Sequence, residues 1–282
     1  MNEKIQLYNS DNRVWLLSIS ALLIAFNWHF ANYNSTYLLF WIAAVSIAWK
    51  QRNKLELNSN LFATIIGLIL IGWMLFRGAV SESGADIIAR IYPLISIAGI
   101  CLIASKPKSI FQYWREIVIV GLTGIPWEHI FALMPITEKI VLMDAKISHL
   151  MLWYVGFDVK QVGILIILPL GTVSIGDDCS SYALLGLMWQ CCLVACIYFT
   201  LAKNQKFILW LSSSAIAFVV NGIRICLLAL LVANKQTEAF DYWHGPQGAE
   251  IFTTIAILLL GGACWILMRN KEEMLDATPT SS

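Results

Sequence analysis

The sequence predicts an all-α polytopic membrane protein with about eight transmembrane helices, on two observations. Hydrophobic residues make up 59% of the 282 residues and charged residues only 13%, whereas a soluble domain carries about 25% charged residues. Eight apolar runs also approach the length of about 20 residues that a membrane-spanning helix needs. These runs cover residues 14–31, 36–49, 60–79, 87–105, 110–132, 180–202, 207–231 and 247–268.

The chain is expected to form a single integral membrane domain over residues 1–282. No internal repeat or low-complexity block divides it. The first apolar run lacks the small-residue site of a cleaved signal peptide, so it is expected to remain as an anchor. The net charge of +1 is far from that of a nucleic-acid-binding protein, which excludes a nucleic-acid partner.

The distribution of Lys and Arg predicts the orientation of the chain. With a cytoplasmic N-terminus, twelve of the nineteen Lys and Arg residues fall on inner segments, six fall on outer segments, and Arg224 lies inside a helix. Cytoplasmic loops carry this excess in membrane proteins. Both termini are therefore expected in the cytoplasm, with segments 133–179 and 232–246 on the external side.

The long external segment 133–179 is predicted to contain structure of its own. Apolar residues recur at helical spacing over 136–153, with Asp144 and Lys146 among the polar residues between them, which is typical of a helix lying on the outer membrane interface. β-branched runs at 159–168 and 172–175 flank a Pro-Leu-Gly turn. They predict a small β-hairpin that delivers the next residues to the membrane surface.

A short polar stretch at 175–182 follows this hairpin and contains Cys179. The other six cysteines lie within apolar runs, where cysteine acts as a small hydrophobic residue. Cys179 stands where a loop becomes a helix, and the free N–H groups and positive dipole end of a helix favour a thiolate. Asp177 and Asp178 oppose a thiolate by their charge, although Asp178 or Ser180 could instead cap the helix.

Arg224 lies inside the apolar run 207–231, with Asn221 one turn before it. An arginine within a membrane helix costs at least about 2.5 kcal/mol on insertion and normally faces a partner or a cavity. A functional charge next to Asn221 is the first interpretation. A structural ion pair, or a side chain that reaches back to the interface, is the alternative.

Two histidines are candidates for proton transfer. His244 precedes the last apolar run beside Tyr242 and Trp243, which are ordinary membrane-interface residues, so a merely hydrated histidine is the alternative. His129 lies beside Glu128 near the outer end of the fifth run. The predicted topology places Cys179, Arg224 and His244 toward one membrane face, and His129 is a rival base or a supporting residue.

Together these residues resemble the exosortase/archaeosortase family of multi-pass membrane proteins that process C-terminal sorting signals. The family has a Cys in a Cys-Ser-Gly-like setting that opens a helix, an Asn-x-x-Arg in the next helix, and a later His or Arg. The matches here are Cys179-Ser180, Asn221-Gly222-Ile223-Arg224 and His244, with a similar run at 168–176. The resemblance covers about 120–270 and is nearest the cyanobacterial subgroup. Ser181 departs from the Gly usual at its position, which affects the backbone geometry next to Cys179.

The resemblance implies a substrate and a location. The substrate is a secreted protein whose C-terminus carries a short Pro-Glu-Pro-like motif (PEP-CTERM type), one membrane helix and a basic cluster. Cleavage would take place at the outer, periplasmic face of a bacterial inner membrane. The product would pass to water or to an acceptor amine on a lipid or exopolysaccharide, so the activity is that of a thiol protease or of a transpeptidase.

The resemblance also implies the chemistry. Cys179 would attack the scissile carbonyl to form a thioester. Arg224 would stabilise the oxyanion or the thiolate, and His244 would protonate the leaving amine. Asn221, Ser180 and His129 are supporting residues, and no metal or cofactor is implied.

Two other classes stay open at this point. A non-catalytic transporter, or a subunit of a surface-polysaccharide or export system, would use Arg224 as an anion site and leave Cys179 inert. A membrane thiol oxidoreductase would need a second external cysteine, which the predicted topology does not supply.

Overall fold

The structure is a computed structural model that describes residues 16–27, 29, 35–80, 90–126, 130–131, 133–176 and 179–276. The chain divides into two compact units, Met1–Ile125 and Pro126–Ser282. The described residues are mostly helical with few strands, as the composition predicted.

The helical membrane class is confirmed by the length and composition of the helices. Among the described residues, three helices are long and apolar enough to cross a membrane: Leu61–Val80, Lys203–Ala233 and Pro246–Arg269. Shorter apolar helices lie at Leu16–Asn27, Leu38–Gln51, Tyr92–Ala104 and Tyr182–Tyr198. The number of eight spans stays a prediction.

The first unit is a set of packed helices. It contains α1 (Leu16–Asn27), α2 (Ser35–Gln51), α3 (Leu61–Val80), α4 (Tyr92–Ala104), a 3-10 helix (Pro107–Tyr113) and α5 (Trp114–Leu122). Helix α3 packs along α4, and α2 packs on α5. The Asn27 side chain donates a hydrogen bond of 3.0 Å to Ser96 Oγ, which joins α1 to α4.

The fifth apolar run, 110–132, is not one continuous helix. Helix α5 ends at Leu122, and the chain then turns at Gly124 before Pro126. Proline has no N–H to donate, and it disfavours helical backbone at the residue before it. Gly124 and Pro126 therefore account for the interruption, and a hydropathy average over the run does not detect them.

The second unit contains α6 (Thr137–Val155), β1 (Lys160–Val162), β2 (Leu165–Leu168), β3 (Gly171–Ser174), α7 (Tyr182–Tyr198), α8 (Lys203–Ala233), α9 (Thr237–His244) and α10 (Pro246–Asp276). Helix α8 is its centre, because it packs against α6, α7, α9, α10 and β3. A residue in the C-terminal half of α8 can therefore meet several elements at once.

The strands form an antiparallel sheet in the order β1-β2-β3, so the segment predicted as a hairpin of two strands has three. The β1–β2 turn contains Gly163 with a φ of 61°, a conformation that glycine adopts without a steric penalty. After β3, Ile175 extends the pairing by donating its N–H to the Ile164 carbonyl at 3.0 Å. The sheet therefore leads directly into the turn that holds Cys179.

Helix α6 forms where the interfacial helix was predicted, but its buried stripe differs from the expected apolar face. The stripe consists of Ile140, Val141, Asp144, Ala145, Ser148 and Leu152, whereas Met143 and Leu150 are exposed. These buried positions recur every three or four residues, as the contact face of a helix requires. The acidic Asp144, counted among the polar residues between the apolar ones, therefore lies on the packed face.

Candidate active site

Cys179 lies in the turn between β3 and α7. Its side chain is 7% exposed and packs in a cluster with Val141, Ile225 and Leu228. Its N–H donates a hydrogen bond of 3.1 Å to the Gly176 carbonyl. Cys179 therefore packs with residues of both α6 and α8.

Helix α7 begins three residues later than the cysteine. Its first residue is Tyr182, and Ser181 is the N-cap residue without a side-chain capping hydrogen bond. The N-cap residue is therefore Ser181 and not Ser180, which is buried beside Cys179. Asp177 and Asp178 lie outside the described residues.

Asn221 joins α8 to this turn. Its Nδ2 donates a hydrogen bond of 2.9 Å to the carbonyl oxygen of Cys179, and its side chain is 3% exposed. Arg224 lies three residues further along α8, and residues three apart lie on the same helix face. Asn221 and Arg224 therefore lie on the polar face that was predicted, and this face is turned toward Cys179.

Arg224 hydrogen-bonds to the end of α9 and lies near the turn. Its Nη2 donates a hydrogen bond of 2.8 Å to the main-chain carbonyl of His244. It is 8% exposed and lies close enough to Cys179 for a direct electrostatic interaction. Its Nε is buried without a hydrogen-bond partner among the described residues.

His244 is the last residue of helix α9, a short helix within the segment 232–246 that separates the last two apolar runs. Its half-buried imidazole stacks on Phe240, with ring centroids 5.2 Å apart and planes inclined by 9°. The next residues, Gly245 and Pro246, end α9 and start α10, as proline at the first position of a helix favours. His244 therefore meets Arg224 through its carbonyl, and within the described chain no hydrogen bond links its imidazole to Cys179.

The rival histidine, His129, lies outside the described residues together with Glu128. Its choice against His244 as the acid or base therefore stays a prediction.

Asp144 also lies at this site, although its sequence context did not predict it there. Its side chain is 0% exposed, and its Oδ2 accepts a hydrogen bond of 2.7 Å from the N–H of Ser181. Burial raises the pKa of Asp144 to about 6, although hydrogen bonding from Ser181 and Asn221 opposes this rise. The spacing of four residues from Ile140 to Asp144 to Ser148 was the available signal, because it places the acid on one helix face with them.

Gly222 lets α6 approach α8 at this level. A Cβ on Gly222 would lie 2.9 Å from Ile147 Cγ2 and 3.3 Å from the sulfur of Met151. Any larger residue would have to push the Ile147 side chain aside. The glycine between Asn221 and Arg224 therefore allows the helix that carries Asp144 to reach the cysteine turn.

The arrangement is suited to nucleophilic chemistry at sulfur. It combines a thiol held by its backbone with a fixed cation that retains an unused donor, and a fixed cation favours a thiolate. Within the described part of the chain, no group of three or more His, Cys, Asp or Glu residues is placed to hold a metal ion.

The chain matches the model of a known protein family. The model of the family described as transmembrane exosortase (Exosortase_EpsH) matches residues 28–261. No curated protein and no solved structure matches the chain. The match covers most of the sequence and includes the cysteine turn, α8 and α9, so the chain belongs to the transmembrane exosortase family.

Proposed function

We propose that this protein is a membrane-embedded cysteine protease or transpeptidase that cleaves the C-terminal sorting signal of secreted proteins. Exosortases in general act on secreted proteins that carry such signals. The observation that carries the proposal is the convergence of α8 on the cysteine turn. Asn221 binds the Cys179 carbonyl at 2.9 Å, and Arg224 lies close to the same residue.

The backbone hydrogen bonds of the turn support Arg224 as the oxyanion donor. Many nucleophilic enzymes stabilise the oxyanion with main-chain N–H groups near the nucleophile. Here the N–H of Cys179 donates to Gly176 and the N–H of Ser181 donates to Asp144. The guanidinium has five N–H donors. Within the described chain its one hydrogen bond runs from Nη2 to the His244 carbonyl, so other donors are left for an oxyanion.

The acyl-transfer sequence then uses three side chains. The Cys179 thiolate attacks the scissile carbonyl carbon, and the carbonyl oxygen becomes an oxyanion that Arg224 stabilises. Collapse of this intermediate forms a thioester and breaks the C–N bond, while His244 gives a proton to the leaving amine. Water or an acceptor amine then attacks the thioester and gives its proton to His244, and the breaking C–S bond frees the thiolate.

An anion-binding role for Arg224 in a transporter is the alternative. It would use the guanidinium alone and would leave the bond from Asn221 to the Cys179 carbonyl without a purpose. The bond instead fixes the backbone of the residue that would act as the nucleophile. The arrangement therefore favours catalysis.

The test is processing of a co-expressed secreted protein that ends in a motif, a membrane helix and a basic cluster. Cys179→Ala should abolish the mass decrease of the substrate while the variant still inserts. Cys192→Ala is the matched control, because Cys192 is equally buried, at 0% exposure, and should process normally. Continued cleavage by Cys179→Ala would exclude the cysteine mechanism.

We also propose that both termini are cytoplasmic and that the site faces the outside of a bacterial inner membrane. The excess of Lys and Arg on the inner segments supports this orientation. Reporter fusions after Asn53 and Lys203 should report cytoplasmic, and a fusion within 155–165 should report external. An external report after Lys203 would contradict the orientation.

A further inference from the structure

Asp144 is an acidic side chain enclosed in the second unit beside the cysteine turn. It is 0% exposed, and its Oδ2 accepts the Ser181 N–H at 2.7 Å. Ser181 immediately precedes the first residue of α7. Negative charge is favourable at this end of a helix, because the free N–H groups and the dipole there are positive.

A second link runs from Asp144 through Asn221. The Asn221 side chain lies near enough to the Asp144 carboxylate to interact with it, while its Nδ2 donates to the Cys179 carbonyl. A negative charge attracts the NH₂ group of an amide and repels its oxygen. The carboxylate therefore favours the amide orientation that binds the Cys179 carbonyl.

The two links hold the same short turn at both ends. One fixes the carbonyl of Cys179 and the other fixes the N–H of Ser181, two residues later. The side chain of Cys179 projects from the α-carbon directly before its fixed carbonyl, so its direction depends on how this turn is held. Ser181 supplies no side-chain cap of its own, which leaves the carboxylate to organise the start of α7.

The remaining polar atoms here are not satisfied. Asp144 Oδ1 and Ser181 Oγ are buried without a hydrogen-bond partner among the described residues. A buried carboxylate oxygen without a donor is destabilising. An apolar residue would leave the Ser181 N–H without an acceptor, whereas Asn would accept from it without a charge. Folding stability alone therefore does not require a charged acid at this position.

We propose that Asp144 is a positioning residue of the exosortase site, which holds the Cys179–Ser181 turn through the Ser181 N–H and through Asn221. This inference rests on the proposed function of Cys179. Asp144 acts through the turn and through Asn221, and it does not itself contact the substrate.

A packing role and a positioning role predict opposite orders for two substitutions. If the site only needs its volume filled, Asp144→Asn is nearly isosteric and is tolerated, whereas the longer Asp144→Glu overpacks a side chain with no exposure. If the site needs a charged carboxylate, Glu keeps the function. Asn keeps an acceptor for the Ser181 N–H but loses the negative charge.

The experiment is hydrogen exchange by mass spectrometry on the full-length protein in detergent. In Asp144→Asn, peptides that cover 179–182 should exchange about 10-fold faster, because the charge-assisted hydrogen bond from Ser181 is weakened. Peptides from α10 should be unchanged. In Asp144→Glu the exchange of 179–182 should stay within about 3-fold of wild type, since the carboxylate is retained.

Ser148→Ala is the matched control for these variants. Ser148 is also 0% exposed on the same face of α6, but its Oγ donates to the main-chain carbonyl of Asp144 and not to the turn. Its loss should leave exchange at 179–182 unchanged. Unchanged exchange of 179–182 in Asp144→Asn, or the order Asn better than Glu, would overturn the inference.

Substrate processing gives a second readout. Asp144→Asn should lower kcat by about 10-fold and leave KM nearly unchanged, since the variant alters the direction of the nucleophile and not substrate binding. The exchange result does not depend on activity. Cleavage of substrate by Cys179→Ala would contradict the proposed function. Faster exchange in Asp144→Asn would still show that Asp144 holds the turn at 179–182.

Discussion

Cysteines lie both just before α7 and in its middle, and their burial does not distinguish them. Cys179 is 7% exposed and Cys192 is 0% exposed. Cys192 belongs to an apolar cluster with Leu209 and Leu260. Cys179 also packs against apolar residues, but Asn221 binds its carbonyl and Arg224 lies close to it.

The difference shows that neighbouring groups, and not exposure, identify the candidate nucleophile in this protein. Apolar surroundings favour the neutral thiol, whereas a nearby cation favours the thiolate. Substitutions of Arg224 and His244, and thiol labelling of the two cysteines, test this distinction. Asp144 contacts only the region of Cys179, through the Ser181 N–H.

The largest expected loss comes from His244→Gln. Glutamine keeps some hydrogen bonding but cannot transfer a proton, so processing should fall by roughly 10²–10⁴-fold and uncleaved substrate should co-purify. Processing is measured by immunoblot of the co-expressed substrate, with His149→Gln on α6 as the control. Normal processing by His244→Gln, together with loss in His129→Gln, would move the acid–base role to His129.

Arg224→Lys should reduce processing by about 10²-fold or more. Lysine keeps the charge but loses the planar arrangement of donors, one of which already binds the His244 carbonyl. Single-turnover cleavage by the purified variant measures the loss. Arg269→Lys is a control at an exposed arginine. Full activity in Arg224→Lys would show that charge alone suffices.

Direct thiol labelling compares the two regions without a substrate. In variants that retain a single cysteine, Cys179 should react with a small alkylating reagent about 10-fold or more faster than Cys192, because only Cys179 has a neighbouring cation. Intact-mass spectrometry follows the reaction. Adding Arg224→Lys to the variant that retains only Cys179 tests whether the guanidinium is the cause. Equal rates at the two cysteines would remove the distinction between the regions.

The smallest effect concerns pH and the acid beside the turn. Burial raises the pKa of Asp144 from 3.8 to about 6, so the folded protein binds this proton more tightly than the unfolded chain does. The resulting stability is fully present below about pH 4 and is lost as the pH rises through about 6. On acidification from about pH 7.5 to about pH 5.5, wild type should gain about 1 kcal/mol of unfolding free energy relative to Asp144→Asn.

Thermal unfolding of both proteins in detergent at the two pH values measures this difference. Because other groups titrate in both proteins, the comparison isolates the contribution of Asp144. The same pH dependence in wild type and variant would show that the carboxyl is already ionised near its ordinary pKa.

Much of this arrangement was predictable from sequence. Composition predicted the helical membrane class, and the spacing of Asn221 and Arg224 predicted one polar face on α8. The order of the apolar runs predicted that Cys179 and His244 lie near that face. The number of spans was less accessible, because Gly124 and Pro126 interrupt a run that a hydropathy average treats as continuous.

The role of Asp144 was missed for a physical reason. Its partner is the backbone N–H of Ser181, 37 residues later in the chain, and a backbone donor leaves no mark on the identity of its residue. The bond from Arg224 also goes to a main-chain carbonyl, so the side chain of His244 could not have indicated it. Patterns of residue types predict side-chain pairs better than contacts to the main chain.

The close approach at Gly222 limits how this protein can be thermostabilised. Replacing a helical glycine by alanine usually gains about 0.5–1 kcal/mol, since glycine loses more backbone entropy on folding. Gly72, Gly261 and Gly262 have open space around the position of a new Cβ, so alanine is suited to these sites. At Gly222 the same change would force Ile147 aside and widen the gap between α6 and α8. An engineered variant for structural work should therefore keep Gly222 and replace Gly72, Gly261 and Gly262.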